Sequence, residues 1–61
     1  MLTPMEYKVI QLVKEAKRNK EIASELGITV GTVRAHLRNI FLKLNIKSRA
    51  ELIIKKSKFN F

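Results

Sequence analysis

The feature that most constrains this chain is a short break, Gly27-Ile28-Thr29, set between two segments of helical periodicity. Glycine supplies the left-handed backbone that ends a helix tightly, and threonine caps the start of the next. Upstream, the spacing predicts a brief helix over 19–26, with Asn19 as its cap and Ile22, Ala23 and Leu26 on its buried face. Downstream, Val30, Val33, Leu37, Ile40, Phe41 and Leu44 fall on one side of a helix over 30–44. Ile28 reads as an apolar plug from the connection, and the small Ala23 lets the two helices approach closely. A short helix, a tight turn and a longer amphipathic helix make a helix-turn-helix. A generic helical hairpin also uses a glycine turn, so the placement of charge has to separate the two.

The flanks carry further punctuation. Thr3-Pro4-Met5-Glu6 combines a cap, a proline at the first helical position and a glutamate that closes a capping box. Met5, Val9, Leu12, Val13 and Ala16 then form a stripe at helical spacing. Asn45 terminates the third helix. Ser48 with Glu51 forms a second capping box, opening a fourth helix through Leu52, Ile53 and Ile54 to about Ser57. The expected fold is all-α, a compact four-helix domain with a central helix-turn-helix, residues 1–61 forming a single domain. At 61 residues one small core must suffice, and with no cysteine it has neither a disulfide framework nor a Cys-based zinc site to brace it.

Thirteen Lys and Arg against five acids give a formal charge of +8, which favours a polyanionic partner. The excess is uneven. No acid lies between Glu25 and Glu51, while Arg34, Arg38, Lys43, Lys47 and Arg49 all fall inside that window. On the third helix, Gly31, Ala35, Asn39 and Leu42 lie opposite the apolar stripe. Arg34 and Arg38 flank this strip on one side; Thr32, His36 and Lys43 flank it on the other. A helix that reads double-stranded DNA presents its N-terminal half to base edges, with phosphates to either side.

The candidate DNA contacts are therefore Lys20, Thr29, Gly31, Thr32, Arg34, Ala35, His36, Arg38 and Lys43. Arg34 is the leading base reader, with an ordinary phosphate contact as its alternative. Ala35 either touches a thymine methyl or contributes nothing. Thr32, His36, Arg38 and Lys43 suit phosphates, and Lys20 suits a phosphate beside the positive end of the second helix. Gly31 has two readings, close approach to DNA or simple tolerance near a helix start. His36 has two as well, a phosphate hydrogen bond or half-buried packing.

Other classes fit less well. One histidine, no cysteine and five scattered acids provide no nucleophile–base pair and no metal cluster, so neither enzyme chemistry nor any cofactor is expected. No apolar run approaches the ~20 residues of a membrane span, and no signal-peptide pattern opens the chain. A cytoplasmic, nucleoid-associated protein is expected. A basic amphipathic membrane-surface peptide is the rival, but four capping signals and a glycine turn indicate a folded domain. RNA binding lacks an aromatic stacking platform, the aromatics being Tyr7, Phe41, Phe59 and Phe61.

Several stretches resemble the LuxR/FixJ/GerE-type helix-turn-helix domain of bacterial transcription regulators. They are Leu2-Thr3-Pro4-Met5-Glu6, the run from Asn19-Lys20-Glu21-Ile22-Ala23 to Gly27-Ile28-Thr29, and Thr32-Val33-Arg34-Ala35-His36-Leu37-Arg38-Asn39-Ile40. Lys43-Leu44-Asn45-Ile46-Lys47-Ser48-Arg49-Ala50-Glu51-Leu52 is similar to that family's entry into helix four. The resemblance implies a four-helix fold, DNA contacts at Lys20, Thr32, Arg34, His36 and Lys43, and a fourth helix used for dimerisation. It departs from the family's habit at Gly31, often basic, at Ala35, often polar, and at Met5 and Lys8. The run Val30-Gly31-Thr32-Val33-Arg34 is also similar to the promoter-reading part of sigma factors.

Leu52, Ile53 and Ile54 span about 200° of helix surface, more than one intramolecular face can bury. A homodimer through these three residues is expected, with a monomer covered by Phe59 or Phe61 as the alternative. The chain carries no receiver or ligand pocket of its own; it is either a free-standing regulator or the effector end of a longer one, with such a domain upstream.

Overall fold

The computed structural model describes residues 1–54, and in it four helices run in the expected order: α1 (Pro4–Lys14), α2 (Asn19–Leu26), α3 (Val30–Leu44) and α4 (Arg49–Ile54). The expected continuation of α4 to Ser57, and any cover by Phe59 or Phe61, lie outside the described residues.

α1 begins as its sequence demands. The Thr3 hydroxyl accepts from the Glu6 N–H at 3.1 Å, and Glu6 Oε1 accepts from the Thr3 N–H at 2.7 Å. The two halves of the capping box satisfy two of the amides that a helix start leaves orphaned. The buried arc of α1 is wider than the expected stripe. Val9, Leu12 and Val13 are buried, but so are Ile10 and Glu6, and Met5 is only half-buried. The cause is tertiary: α1 is packed against all three other helices, so more than one face is covered. Ala16 leaves the stripe altogether. It is exposed, lies beyond the helix and adopts φ 62°.

That left-handed residue belongs to a pattern used three times. After α1, α2 and α3 stand Ala16 (φ 62°), Gly27 (φ 68°) and Asn45 (φ 54°). In each case the following N–H reaches back five residues: Lys17 to the Leu12 carbonyl, Ile28 to Ala23, and Ile46 to Phe41, at 3.0–3.1 Å. The left-handed residue itself donates three residues back. This is the Schellman arrangement, and it disposes of the orphaned carbonyls while turning the chain sharply. At two of the three ends the next residue is an isoleucine that turns inward. Ile46 is buried, and Ile28 packs against the core as expected.

α2 starts one residue away from the expected cap. Arg18, not Asn19, occupies the N-cap with extended backbone (φ −82°, ψ 160°), and its N–H donates to Glu21 Oε1 at 2.7 Å. Asn19 is instead the first helical residue, its side chain drawn into a bond from α4 described below. α3 and its Thr29 cap match expectation. α4 is capped at Ser48, whose Oγ accepts from the Glu51 N–H at 3.2 Å. The Glu51 carboxylate accepts from the Lys47 N–H at 3.1 Å.

Between the helices, Val9, Ile10, Val13, Ile22, Val33, Ile40 and Leu52 are essentially inaccessible. Removing one such side chain from water stabilises the fold by roughly 1.5–3 kcal/mol. α2 packs against α3 with Ala23 buried, and α4 packs on α1 with Leu52 buried in the core. α3 is thereby held on its Val33-Leu37-Ile40 side with the opposite side free.

The backbone of Ala16 provides a check. An L-residue with a Cβ is disfavoured in left-handed geometry by roughly 1–2 kcal/mol, offset in part by the extra freedom glycine has when unfolded. Ala16→Gly is expected to raise stability by about 0.5–1 kcal/mol in urea titrations. A loss of stability would mean that the strain is not there.

Candidate nucleic-acid interface

The free face of α3 has small residues along its centre and cations at the edge. Gly31, Arg34, Ala35, Arg38, Asn39 and Lys43 are exposed, while Thr32 and His36 are half-buried on the flank nearer the body. The local reason is periodicity: with Val33, Leu37 and Ile40 committed to the core, positions one turn apart on the other side must face solvent. A Cβ added at Gly31 would meet only Thr29 Oγ1, at 3.8 Å. Nothing inside the domain therefore requires glycine at this position.

The start of α3 is tied down by its own hydroxyls. Thr29 Oγ1 accepts from the Thr32 N–H at 3.1 Å and lies 2.9 Å from Thr32 Oγ1. Both threonines thus carry structural bonds in addition to whatever they offer a partner. Lys20 is exposed in the first turn of α2, where the unpaired amides of a helix start attract anions. Toward its C-terminal end α3 becomes apolar on the outside. Leu42 is 73% exposed, and with Phe41 and Ile46 it lines a shallow concavity that Arg34 and Arg38 border.

Lys43 behaves differently from the other basic candidates. Its Nζ sits 2.8 Å from Glu6 Oε1, a carboxylate that is 3% exposed. The glutamate is held below its ordinary range, first by the hydrogen bond from Lys43 and next by the Thr3 N–H, against burial that pulls the other way. The pair bolts the C-terminal end of α3 to the first turn of α1. Nothing in the local sequence pairs these residues, which stand 37 positions apart.

Arg49 was seen in the sequence only as one more positive charge. In the structure its guanidinium donates to Asn19 Oδ1 and to the Lys17 backbone carbonyl, joining α4 to the α1–α2 connection. The expected dimer residues also separate. Leu52 is fully buried in the core and cannot reach a partner, because its side of α4 is the one that closes on α1. Ile53 is half-buried against the core, and Ile54 is 77% exposed.

Among the described residues no group of three His, Cys, Asp or Glu side chains is placed to hold a metal ion, and no helix is long and apolar enough to cross a membrane.

Comparison with known proteins agrees with this geometry. Residues 1–55 match the family described as bacterial regulatory proteins, luxR family. The chain is 43% identical over 53 residues to the monoamine regulon transcriptional regulator of Klebsiella aerogenes, an overlap of 87% of this chain and 23% of that protein. It is 48% identical over 52 residues to the transcriptional regulatory protein DesR of Bacillus subtilis, covering 85% and 26% respectively. It is 43% identical over 53 residues to the HTH-type transcriptional regulator AlkS of Pseudomonas putida, covering 87% and 6%. The chain thus spans about a quarter or less of the length of these relatives. The family match includes α4, and the likeness to sigma factors finds no such support.

The Glu6–Lys43 pair makes stability depend on pH in a defined sense. A carboxyl whose folded value is depressed contributes stability above its unfolded value, here the ordinary 4.5, and loses it as the pH falls through the folded value. Lys43→Met removes the largest cause of the depression. The stability gap between parent and variant is expected to be widest at neutral pH and to close in acid. A gap of constant size across that range would show that the pair contributes nothing ionic.

Proposed function

The chain belongs to the luxR family of bacterial regulatory proteins and is a DNA-binding transcriptional-regulator domain; from that premise we propose that α3 lies in the major groove with its N-terminal half against the base edges. The observation that carries this is the free face of α3, where Gly31 and Ala35 leave room for the groove floor while Arg34 and Arg38 stand beside it. Arg34 reads a guanine, and Ala35 meets a thymine methyl. Arg38, His36, Thr32 and Thr29 contact phosphates and set the register, joined by Lys20 at the start of α2. Lys43 stands at the far rim with its ammonium on Glu6, and its contribution to DNA is the smallest of the set.

Residues 1–61 act as one domain in this reading, a binding module rather than a catalyst, working in the cytoplasm. Two copies meet through Ile53 and Ile54 of α4, which places two α3 helices on half-sites about one helical turn apart. The exposure of Ile54 supports this, and Leu52 takes no part. The proportion of each relative that lies outside the match supports an upstream receiver or ligand-sensing domain that governs the module.

Selection of bound duplexes from a random pool tests the whole reading, since it reports motif, spacing and symmetry together. Arg34→Ala is expected to relax preference at one base pair, worth roughly 1–3 kcal/mol. Lys20→Ala should weaken all duplexes alike and lower the salt slope by about 0.9. Equal losses across all sequences in Arg34→Ala would remove it from the reading role. Gly31→Ala is expected to stabilise the free domain by up to about 0.5 kcal/mol while weakening DNA binding. Unchanged affinity there would mean that glycine is merely tolerated.

A further inference from the structure

Arg49 is the first residue of α4, yet its guanidinium bonds leave that helix. Nη1 donates to Asn19 Oδ1 and Nη2 to the Lys17 carbonyl. These acceptors stand on either side of Arg18, the N-cap whose extended backbone turns the chain into α2. The cap is otherwise lightly held. Its N–H is taken by Glu21, and no side chain caps the first-turn amides. Asn19 would be the natural capping side chain in this stretch, but it is occupied by Arg49. Lys20 follows directly and is exposed.

We propose that Arg49 is a positioning residue for the DNA-backbone contact at the start of α2. By gripping the Lys17 carbonyl and the Asn19 side chain at once, it sets where Lys20 and the first-turn amides stand relative to a phosphate. The proposal rests on the reading of Lys20 as a phosphate contact. It also makes α4 part of the DNA-binding apparatus in each single copy, separately from any contact between copies. The chemistry demands arginine: a planar fork bridges two acceptors in fixed directions, whereas the lysine ammonium is a point charge on a flexible stem. A direct phosphate contact by Arg49 would be served nearly as well by lysine.

The test compares Arg49→Lys, Arg49→Met and Lys20→Ala, singly and combined, for binding to a duplex of unselected sequence. Both Arg49 variants are expected to weaken binding by a similar factor, about threefold or more. Combined with Lys20→Ala, either should add little beyond the Lys20 loss, the non-additivity of residues acting as one unit. Parent affinity in Arg49→Lys, or losses that multiply, overturns the proposal in favour of a simple charge contact. Without DNA, amide exchange over 18–22 should quicken in Arg49→Lys and Asn19→Ala, while the amides of Val13 and Ile40 keep their protection. Unchanged exchange at 18–22 overturns the proposal, and so does loss of protection throughout, which would make Arg49 a support of the whole fold. A parent that ignores duplex DNA defeats the interface reading and the role toward phosphate with it, while the exchange data still report the grip separately.

Discussion

Four helices in so short a chain must be ended abruptly, and the left-handed residues after α1, α2 and α3 meet that need. Each permits a bond five residues back that closes the helix and aims the next segment at the core. The packing depends on this. Without the reversal at Gly27, Ile28 would not turn inward and α3 would not pack back on α2. Without the one at Asn45, Ile46 would not fill its place in the core. The hydrophobic contacts supply the energy, but the reversals decide which contacts are available.

Two polar ties then hold what the core leaves loose. Glu6 with Lys43 secures the far end of α3 to α1, and Arg49 secures the near end of α2 to α4. Both join residues distant in sequence, and both sit at helix ends, where fraying begins. The first turns of α4 have little stability of their own. Their persistence rests on Leu52 in the core and on the Ser48 and Arg49 bonds at the helix start. The result is an α3 tied to α1 at its C-terminal end and an α2 tied to α4 at its start, with the outer face of α3 left bare.

The architecture was legible in the sequence wherever a local rule governs it. Helical spacing placed α3 to the residue, and Thr3, Thr29 and Gly27 marked boundaries because capping chemistry acts over three or four residues. Most of the failures were tertiary. Asn19 has the chemistry of a cap, yet Arg49 claims its side chain. Ala16 fits a helical stripe, yet the chain reverses there without glycine. Ile10 and Glu6 are buried because α1 is covered on several sides, which periodicity along one helix cannot show. Leu52 and Ile54 were alike as letters, and only the approach of α4 to α1 sends one inward and the other out. At the candidate interface the strip of exposed residues was readable, but the engagement of Lys43 by Glu6 was not, since no local pattern connects them.

The bareness of α3 at Gly31 has a consequence for how such a domain diversifies. A β-carbon installed there would touch nothing in the body but one hydroxyl. The scaffold is therefore indifferent to what occupies that socket. In the proposed docking, operator preference at Gly31 is open to change with no compensating repair beneath. Recognition and foldedness are, at this site, independently adjustable properties of one short rod.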